Sequence, residues 1–266
     1  MLINGVLADS LPASDRGLAY GDGLYRTLEV LAGQPRLWRW QWQRLAADCA
    51  ALHLPCPDEA LLLAEIATVC IGLPRAVAKV VLTRGSGQRG YAIPATVQPT
   101  RIVSAAAWAG YPAERAVQGI SVRWCSTRLG LQPLLAGIKH LNRLENVLAR
   151  SEWDDAAIAE GLMLDSDGTV VEGTMSNLFW VRNGQLYTPK LDRCGVSGAM
   201  RACVIDTAHQ LGIAVCEQRL LPAELLAADE AFVCNSLAGI WPLRQLGNHT
   251  WQAWPLTARL LQALVG

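Results

Sequence analysis

The sequence lacks any long uninterrupted apolar run. Its longest apolar stretch, around Ala60–Leu73, is broken by Glu65 and falls short of the roughly 20 residues that a bilayer-spanning helix needs. It reads instead as an amphipathic or buried helix, and no membrane partner is expected. Net charge is lacking too. The 23 basic and 23 acidic side chains cancel, which argues against a nucleic-acid footprint or a polybasic surface. Eight cysteines (Cys49, Cys56, Cys70, Cys125, Cys194, Cys203, Cys216, Cys234) contain no C-x-x-C pair, and His53, His140, His209 and His249 stand apart from them. No zinc cluster is expected, and the thiols read as core residues. The opening MLINGVLADS has neither a basic n-region nor an apolar h-region, so a cytoplasmic address is expected.

At 52% hydrophobic and 17% charged, the chain has the means to bury a large core. Met1–Leu7 reads as a strand turning at Asn4-Gly5, and Tyr25–Leu31 alternates as a strand does. Trp40, Leu45, Ala46, Cys49 and Leu52 fall at helical spacing within 37–52. A second helix is expected over 58–71, then strands at 76–83 and 100–107. Beyond these come a strand at 120–126, a helix at 142–153, and short strands at 161–164, 169–171, 178–181 and 185–187. A helix at 196–211, a strand at 213–218, a short helix at 222–227, a strand at 230–234 and a C-terminal helix at 254–264 complete the pattern. Runs of strands with helices between the runs indicate an α+β (mixed α/β) class with two lobes. The expected division is an N-terminal domain over 1–108, a linker over 109–116 carrying Gly110 and Pro112, and a C-terminal domain over 117–266.

The segment R-G-S-G-Q-R-G, from Arg84 to Gly90, contains a literal G-x-G-x-x-G. A dinucleotide site needs a helix to open directly behind the glycines, so that its N-terminus meets the pyrophosphate. Tyr91-Ala92-Ile93-Pro94 follows instead, and extended chain is expected. Arg84 and Arg89, among Gly85, Gly87 and Gly90, could present guanidinium and backbone N–H groups to a carboxylate. A solvated hairpin loop fits the same residues.

Three features of the second half combine into chemistry. Lys139 lies in L-L-A-G-I-K-H-L-N, an apolar setting that suits an amine nucleophile and proton shuttle. Alone it could equally be a lysine snorkelling from a helix start. Glu172, in V-V-E-G-T-M-S-N-L-F-W, could hold the N–H of a pyridinium ring, or simply face water from a strand. Gly195–Arg201, reading G-V-S-G-A-M-R, precedes a helix whose first N–H groups could bind a phosphate, unless Ser197 merely caps that helix. An amine, a ring-nitrogen partner and a phosphate cup are the inventory of a pyridoxal phosphate site.

At these residues the chain resembles the fold-type IV pyridoxal phosphate enzymes, which include branched-chain and D-amino acid aminotransferases and 4-amino-4-deoxychorismate lyases. The resemblance runs through nearly the whole chain, along S-D-R-G-L-A-Y-G-D-G-L-Y-R-T, Q-R-L, R-G-S-G-Q-R-G-Y, G-I-K-H-L-N-R-L-E-N-V-L-A-R, V-E-G-T-M-S-N-L-F and G-V-S-G-A-M-R. It implies a smaller N-terminal α/β domain, a larger C-terminal pseudo-barrel domain that binds the cofactor, and pyridoxal 5'-phosphate itself. K-H-L-N-R-L-E-N-V-L-A-R and the R-G-S-G-Q-R-G-Y loop look most like the lyases.

Carried over by position, the resemblance makes Lys139 the Schiff-base lysine and Glu172 the pyridinium partner. Arg44 in Q-R-L would bind phosphate, the backbone at Ala199 and Met200 would complete the phosphate cup, and Asn235 and Ser236 would lie on its far side. Asn177 would approach the ring-side network. The chain departs from some relatives at Met200, where a threonine hydroxyl is common and here only a backbone N–H is available. Thr27 matches a lyase threonine whose hydroxyl could relay a proton beside the lysine, although a β-branched strand residue needs no such role. Arg84, Arg89, Tyr91 and Tyr25 are the expected substrate-binding residues. Arg89 and Tyr91 match positions that bind carboxylate from a neighbouring subunit, which implies a homodimer with shared active sites.

The activity implied is conversion of 4-amino-4-deoxychorismate to 4-aminobenzoate and pyruvate, in folate biosynthesis, by proton abstraction and elimination. The alternatives are a D- or branched-chain amino acid aminotransferase, and a non-catalytic pyridoxal or other ligand-binding protein.

Overall fold

A computed structural model describes residues 1–265 of the chain; Gly266, the last residue of the expected C-terminal domain, lies outside them. Two compact units emerge. The first contains Met1–Gly110 and the short segment Ile138–Asn142; the second contains Tyr111–Gly137 and the chain from Arg143 onward. Among the described residues no helix is long and apolar enough to cross a membrane.

The first unit is a mixed α/β layer. Its elements are β1 (Leu2–Ile3), β2 (Val6–Leu7), α1 (Arg16–Tyr20), β3 (Gly23–Leu31), β4 (Gln34–Pro35), α2 (Trp38–Ala51), α3 (Glu59–Val69), β5 (Arg75–Thr83) and β6 (Thr100–Ala107). They form a six-stranded antiparallel sheet in the order β2-β1-β6-β5-β3-β4. Strand alternation decides which side chains meet the helices. Leu24, Leu28 and Val30 of β3 pack with Ala78, Val80 and Leu82 of β5 against Leu45 and Cys49 of α2 and Leu62 and Ile66 of α3. Tyr25 and Thr27 point to the opposite face and are half-buried. Asp58 caps α3 by accepting the Leu61 N–H at 2.9 Å. At the end of α2, His53 takes a left-handed conformation (φ 51°) and the Leu54 N–H returns to the Cys49 carbonyl.

The second unit contains α4 (Glu114–Gln118), β7 (Ile120–Leu129), α5 (Leu144–Arg150), β8 (Ile158–Asp165), β9 (Val170–Gly173), β10 (Asn177–Arg182), β11 (Gln185–Pro189), α6 (Ala199–Gln210), β12 (Val215–Gln218), α7 (Pro222–Leu226), β13 (Glu230–Asn235), β14 (Gly239–Leu246), β15 (His249–Thr250) and α8 (Pro255–Val265). Strands run in the order β12-β11-β10-β13-β14-β7-β8-β9, and a β9–β10 pairing closes the ring into a barrel. Closure leaves no free edge along that ring. Leu162, Leu178, Trp180, Val233, Trp241 and Leu243 fill part of its core.

Several expected elements are shorter than their apolar patterns. The helix expected at 142–153 begins only at Leu144, because Leu141 donates its N–H to Gly23 and Asn142 donates from its side chain to Gly21. α6 begins at Ala199 rather than 196, because Gly198 is extended (φ −71°, ψ 151°) and the segment before it exchanges backbone hydrogen bonds with Gly137. β14, α1, β4, α4 and β15 had no counterpart in the sequence reading. Pro242 obscures β14, since proline is unexpected inside a central strand, and a register irregularity between Leu243 and Gln245 accompanies it.

Candidate active site

In the first unit, Ile138–Asn142 adds to the end of β3. Tyr25 donates its N–H to the Lys139 carbonyl at 3.0 Å, and Leu141 donates to Gly23 at 3.0 Å. These bonds form an antiparallel bridge between Leu24 and His140. Gly23 is required here, because a Cβ would meet Leu141 and the Thr83 backbone at 2.9 Å. The Lys139 amine lies 4.5 Å from the centre of the Tyr25 ring, and the Lys79 amine lies 5.3 Å from the same ring. Both are at cation–π distance. Thr27 sits two residues along on the Tyr25 face, directly opposite Lys79 on β5. Lys139 is partly buried, as are Tyr25 and Thr27.

Beneath this face, α2 supplies Arg44 and Asp48, one turn apart. Asp48 accepts the Lys139 main-chain N–H at 3.1 Å and pairs with Arg26 of β3. Burial lowers the Arg26 guanidinium from its ordinary range, opposed chiefly by the Asp48 charge. Burial likewise raises the Asp48 carboxyl, opposed by Arg26, the Lys139 N–H, Arg44 and the Lys139 charge. The sequence reading missed both residues. Their signal was Arg26 standing on the apolar side of β3, between Leu24 and Leu28, where a charge demands a partner.

In the second unit, Glu172 is buried at the end of β9, 3% exposed. Its Oε2 accepts the Val196 N–H at 2.8 Å and faces the Asn177 amide at 3.4 Å. Asn177 also donates to the Val196 carbonyl at 2.6 Å and accepts the Gly198 N–H at 3.2 Å. Gly195 is left-handed (φ 85°), and a Cβ there would meet Val171 and Leu191 at 2.8 Å and the Glu172 carboxylate at 3.4 Å. A Cβ on Gly198 would collide with the Asn177 side-chain oxygen. Gly198 is the N-cap of α6, and no side chain caps that helix. Ser197 therefore does not serve as the cap, and the first-turn N–H groups at buried Ala199 and Met200 keep their anion-binding capacity.

Asn235 ends β13, which pairs with β10. Its side chain accepts from Leu237 and Ala238 at 2.9 and 2.7 Å, which shapes the turn containing Ser236. Gly137, two residues before Lys139 in the chain, exchanges backbone hydrogen bonds of 2.9 Å with the loop carrying Gly195 and Ser197.

The expected substrate residues divide. Arg84 is corrected to a structural residue. It is 4% exposed, its Nε donates to both Asp22 oxygens at 3.1 and 2.9 Å, and its two terminal nitrogens donate to the His53 and Leu52 carbonyls at 2.9 and 2.8 Å. Buried and tied through all three nitrogens to Asp22 and the end of α2, the guanidinium is not presented to solvent. Burial raises the Asp22 carboxyl, but hydrogen bonds and charge from Arg84 and Arg16 outweigh it, and the net displacement is downward. Arg89 and Tyr91 are exposed on the following loop. Arg16 fastens that loop by donating to the Gly90 and Tyr91 carbonyls at 2.9 and 3.3 Å, and the Tyr20 ring lies 5.3 Å from that of Tyr91. No helix follows Gly90, so the glycine pattern there is not a dinucleotide fingerprint.

A family model described as amino-transferase class IV matches residues 23–246. An aminodeoxychorismate lyase of Vibrio harveyi is 35% identical over 241 residues, covering 91% of this chain and 89% of that protein. The crystal structure of 4-amino-4-deoxychorismate lyase from Pseudomonas aeruginosa superimposes with a TM-score of 0.95 at 49% identity, covering 99% of this chain and 97% of that one. The branched-chain amino acid aminotransferase from Escherichia coli gives a TM-score of 0.84 at 27% identity, covering 99% and 92%. With its mixed sheet unit, its closed barrel unit and a family match spanning most of its length, the chain belongs to the class IV amino-transferase family.

Proposed function

We propose that this chain is a pyridoxal 5'-phosphate-dependent lyase that converts 4-amino-4-deoxychorismate to 4-aminobenzoate and pyruvate, a step of folate biosynthesis. The observation that carries the reading is the 49% identity over 99% of the chain to the Pseudomonas aeruginosa lyase. The donor set fits the cofactor. A buried carboxylate stands beside two glycines at which a Cβ would intrude, and an uncapped helix N-terminus follows. Glu172 would hold the ring nitrogen, with Asn177 beside it. Ala199 and Met200 would bind phosphate through their N–H groups, aided by Asn235, Ser236 and Arg44. When bound, the cofactor supplies an electron sink for the charge left by proton removal beside the substrate amine.

Lys139 would supply the amine that anchors the cofactor. With that amine free, Lys139 would take the proton from the amine-bearing ring carbon of the substrate. The electron pair left by that proton breaks the neighbouring ring carbon–oxygen bond. The enolpyruvyl group leaves as enolpyruvate and takes up a proton to become pyruvate, and aromatisation of the ring drives the step. The Thr27 hydroxyl acts beside the lysine as proton relay. Tyr25 packs under the amine, and Arg89 and Tyr91 take substrate carboxylate across a homodimer. The same proposal treats 1–108 and 117–266 as the two functional domains, with 109–116 as linker, and gives the enzyme a cytoplasmic address.

The likeness to the Escherichia coli branched-chain enzyme supports a second reading, an aminotransferase built on the same lysine. An amino donor separates the two. Adding L-leucine or D-alanine to the cofactor-loaded lyase should leave its absorption spectrum in the pyridoxal form. Rapid conversion to the pyridoxamine form would establish the aminotransferase instead.

A further inference from the structure

Arg26 and Asp48 are 3% and 5% exposed inside the first unit. Arg26 occupies a register position on β3 whose neighbours on that face, Leu24 and Leu28, belong to the apolar core. Its Nε has no hydrogen-bond partner among the described residues. Such a pair gives little net stability, because desolvating both charges opposes their attraction and apolar residues of similar volume often serve as well. Stability alone therefore does not account for it.

The geometry at Lys139 does. The antiparallel bridge to β3 satisfies the Lys139 carbonyl through Tyr25 and the Leu141 N–H through Gly23. The Lys139 N–H instead meets the Asp48 carboxylate, and the same oxygen, Oδ2, receives the Arg26 guanidinium. We propose that Asp48 is a positioning residue: held by Arg26, its carboxylate fixes the main chain at Lys139 and thereby the direction in which the amine leaves the backbone. This rests on the assignment of Lys139 above. Four flexible bonds separate the Lys139 amine from its backbone, so its place over the Tyr25 ring depends on a fixed Cα.

Removing Asp48 alone would strand the Arg26 charge and could unfold the unit, so the test uses two double variants of the full chain, R26M/D48N and R26M/D48L. Both lack the charge pair, and only the first keeps a side-chain oxygen for the Lys139 N–H. Hydrogen exchange at the Lys139 amide is followed in the cofactor-free chain. Turnover of 4-amino-4-deoxychorismate is followed in the cofactor-saturated enzyme. Relative to R26M/D48N, the R26M/D48L chain should exchange that amide about tenfold faster or more. It should also turn over about tenfold more slowly or less, at unchanged KM. Equal exchange in the two variants, or a deficit confined to KM, would overturn the proposal. If neither variant nor the natural chain turns the substrate over, the lyase reading fails. The exchange comparison then decides alone, faster exchange in R26M/D48L upholding the role of Asp48 and equal rates ending it.

Discussion

Replacing Arg84 with methionine should lower stability and leave substrate affinity unchanged. The guanidinium joins Asp22 to the end of α2, donating to Asp22 and to the Leu52 and His53 carbonyls. Methionine fills much of the space and supplies none of these bonds. Removing one partner of a buried ion pair costs about 3–5 kcal/mol. Arg16 still reaches Asp22 at 2.8 Å in the variant, which favours the lower end of that range. The two carbonyls add about 1–3 kcal/mol each where no water replaces the lost donor. Taken at the lower end of each range the total is about 5 kcal/mol, which at about 2–4 °C per kcal/mol for a chain of this size puts the fall in Tm at about 10–20 °C. Thermal unfolding followed by circular dichroism gives the first quantity, and steady-state kinetics well below the transition gives KM. A Tm within about 2 °C of the natural chain together with a KM raised tenfold or more would refute this account, and would restore Arg84 as a substrate ligand.

Glu172→Gln should lower kcat by about 10²-fold or more, the scale of losing one preorganised electrostatic partner; a variant with full turnover would remove Glu172 from the ring-nitrogen position. Gly198→Ala forces a methyl group against Asn177. Overpacking of that kind costs about 1–3 kcal/mol, so cofactor affinity measured by fluorescence titration should weaken by about 5- to 150-fold. Asp22→Asn should destabilise in a pH-dependent way. Because the folded carboxyl titrates below its ordinary value, its stabilisation is complete above the unfolded pKa of about 3.9 and disappears as pH falls through the lower, folded value. Urea unfolding should therefore show the largest gap between the natural chain and Asp22→Asn near neutral pH, with the two curves converging below about pH 4; a gap independent of pH would contradict the assignment.

The residues explain what the sequence revealed and what it hid. β3, α2 and α3 were legible because their apolar periods belong to one core face each, so Leu24, Leu28, Leu45 and Ile66 declare it directly. Glu172 and the G-V-S-G-A-M-R turn were legible because a carboxylate and small residues stood where a buried strand and a helix start needed a reason. β14 was hidden by Pro242, whose place in a central strand depends on partners far along the chain. Arg84 was misread because residue type and neighbouring glycines describe a loop equally well whether its arginine faces outward or inward. Only the carbonyls of Leu52 and His53, more than thirty residues earlier in the chain, decide the direction. The pairing of Lys139 with β3 and Asp48 was invisible for the same reason: 91 residues separate the amide from its carboxylate.

The central claim is that Lys139 runs an elimination that releases pyruvate. Purified, cofactor-loaded protein incubated with 4-amino-4-deoxychorismate and no keto acid should release 4-aminobenzoate and pyruvate in equal amounts. Lys139→Ala should release neither above background. Full turnover by Lys139→Ala would contradict the account, as would transamination of an amino acid by a natural chain that forms neither product.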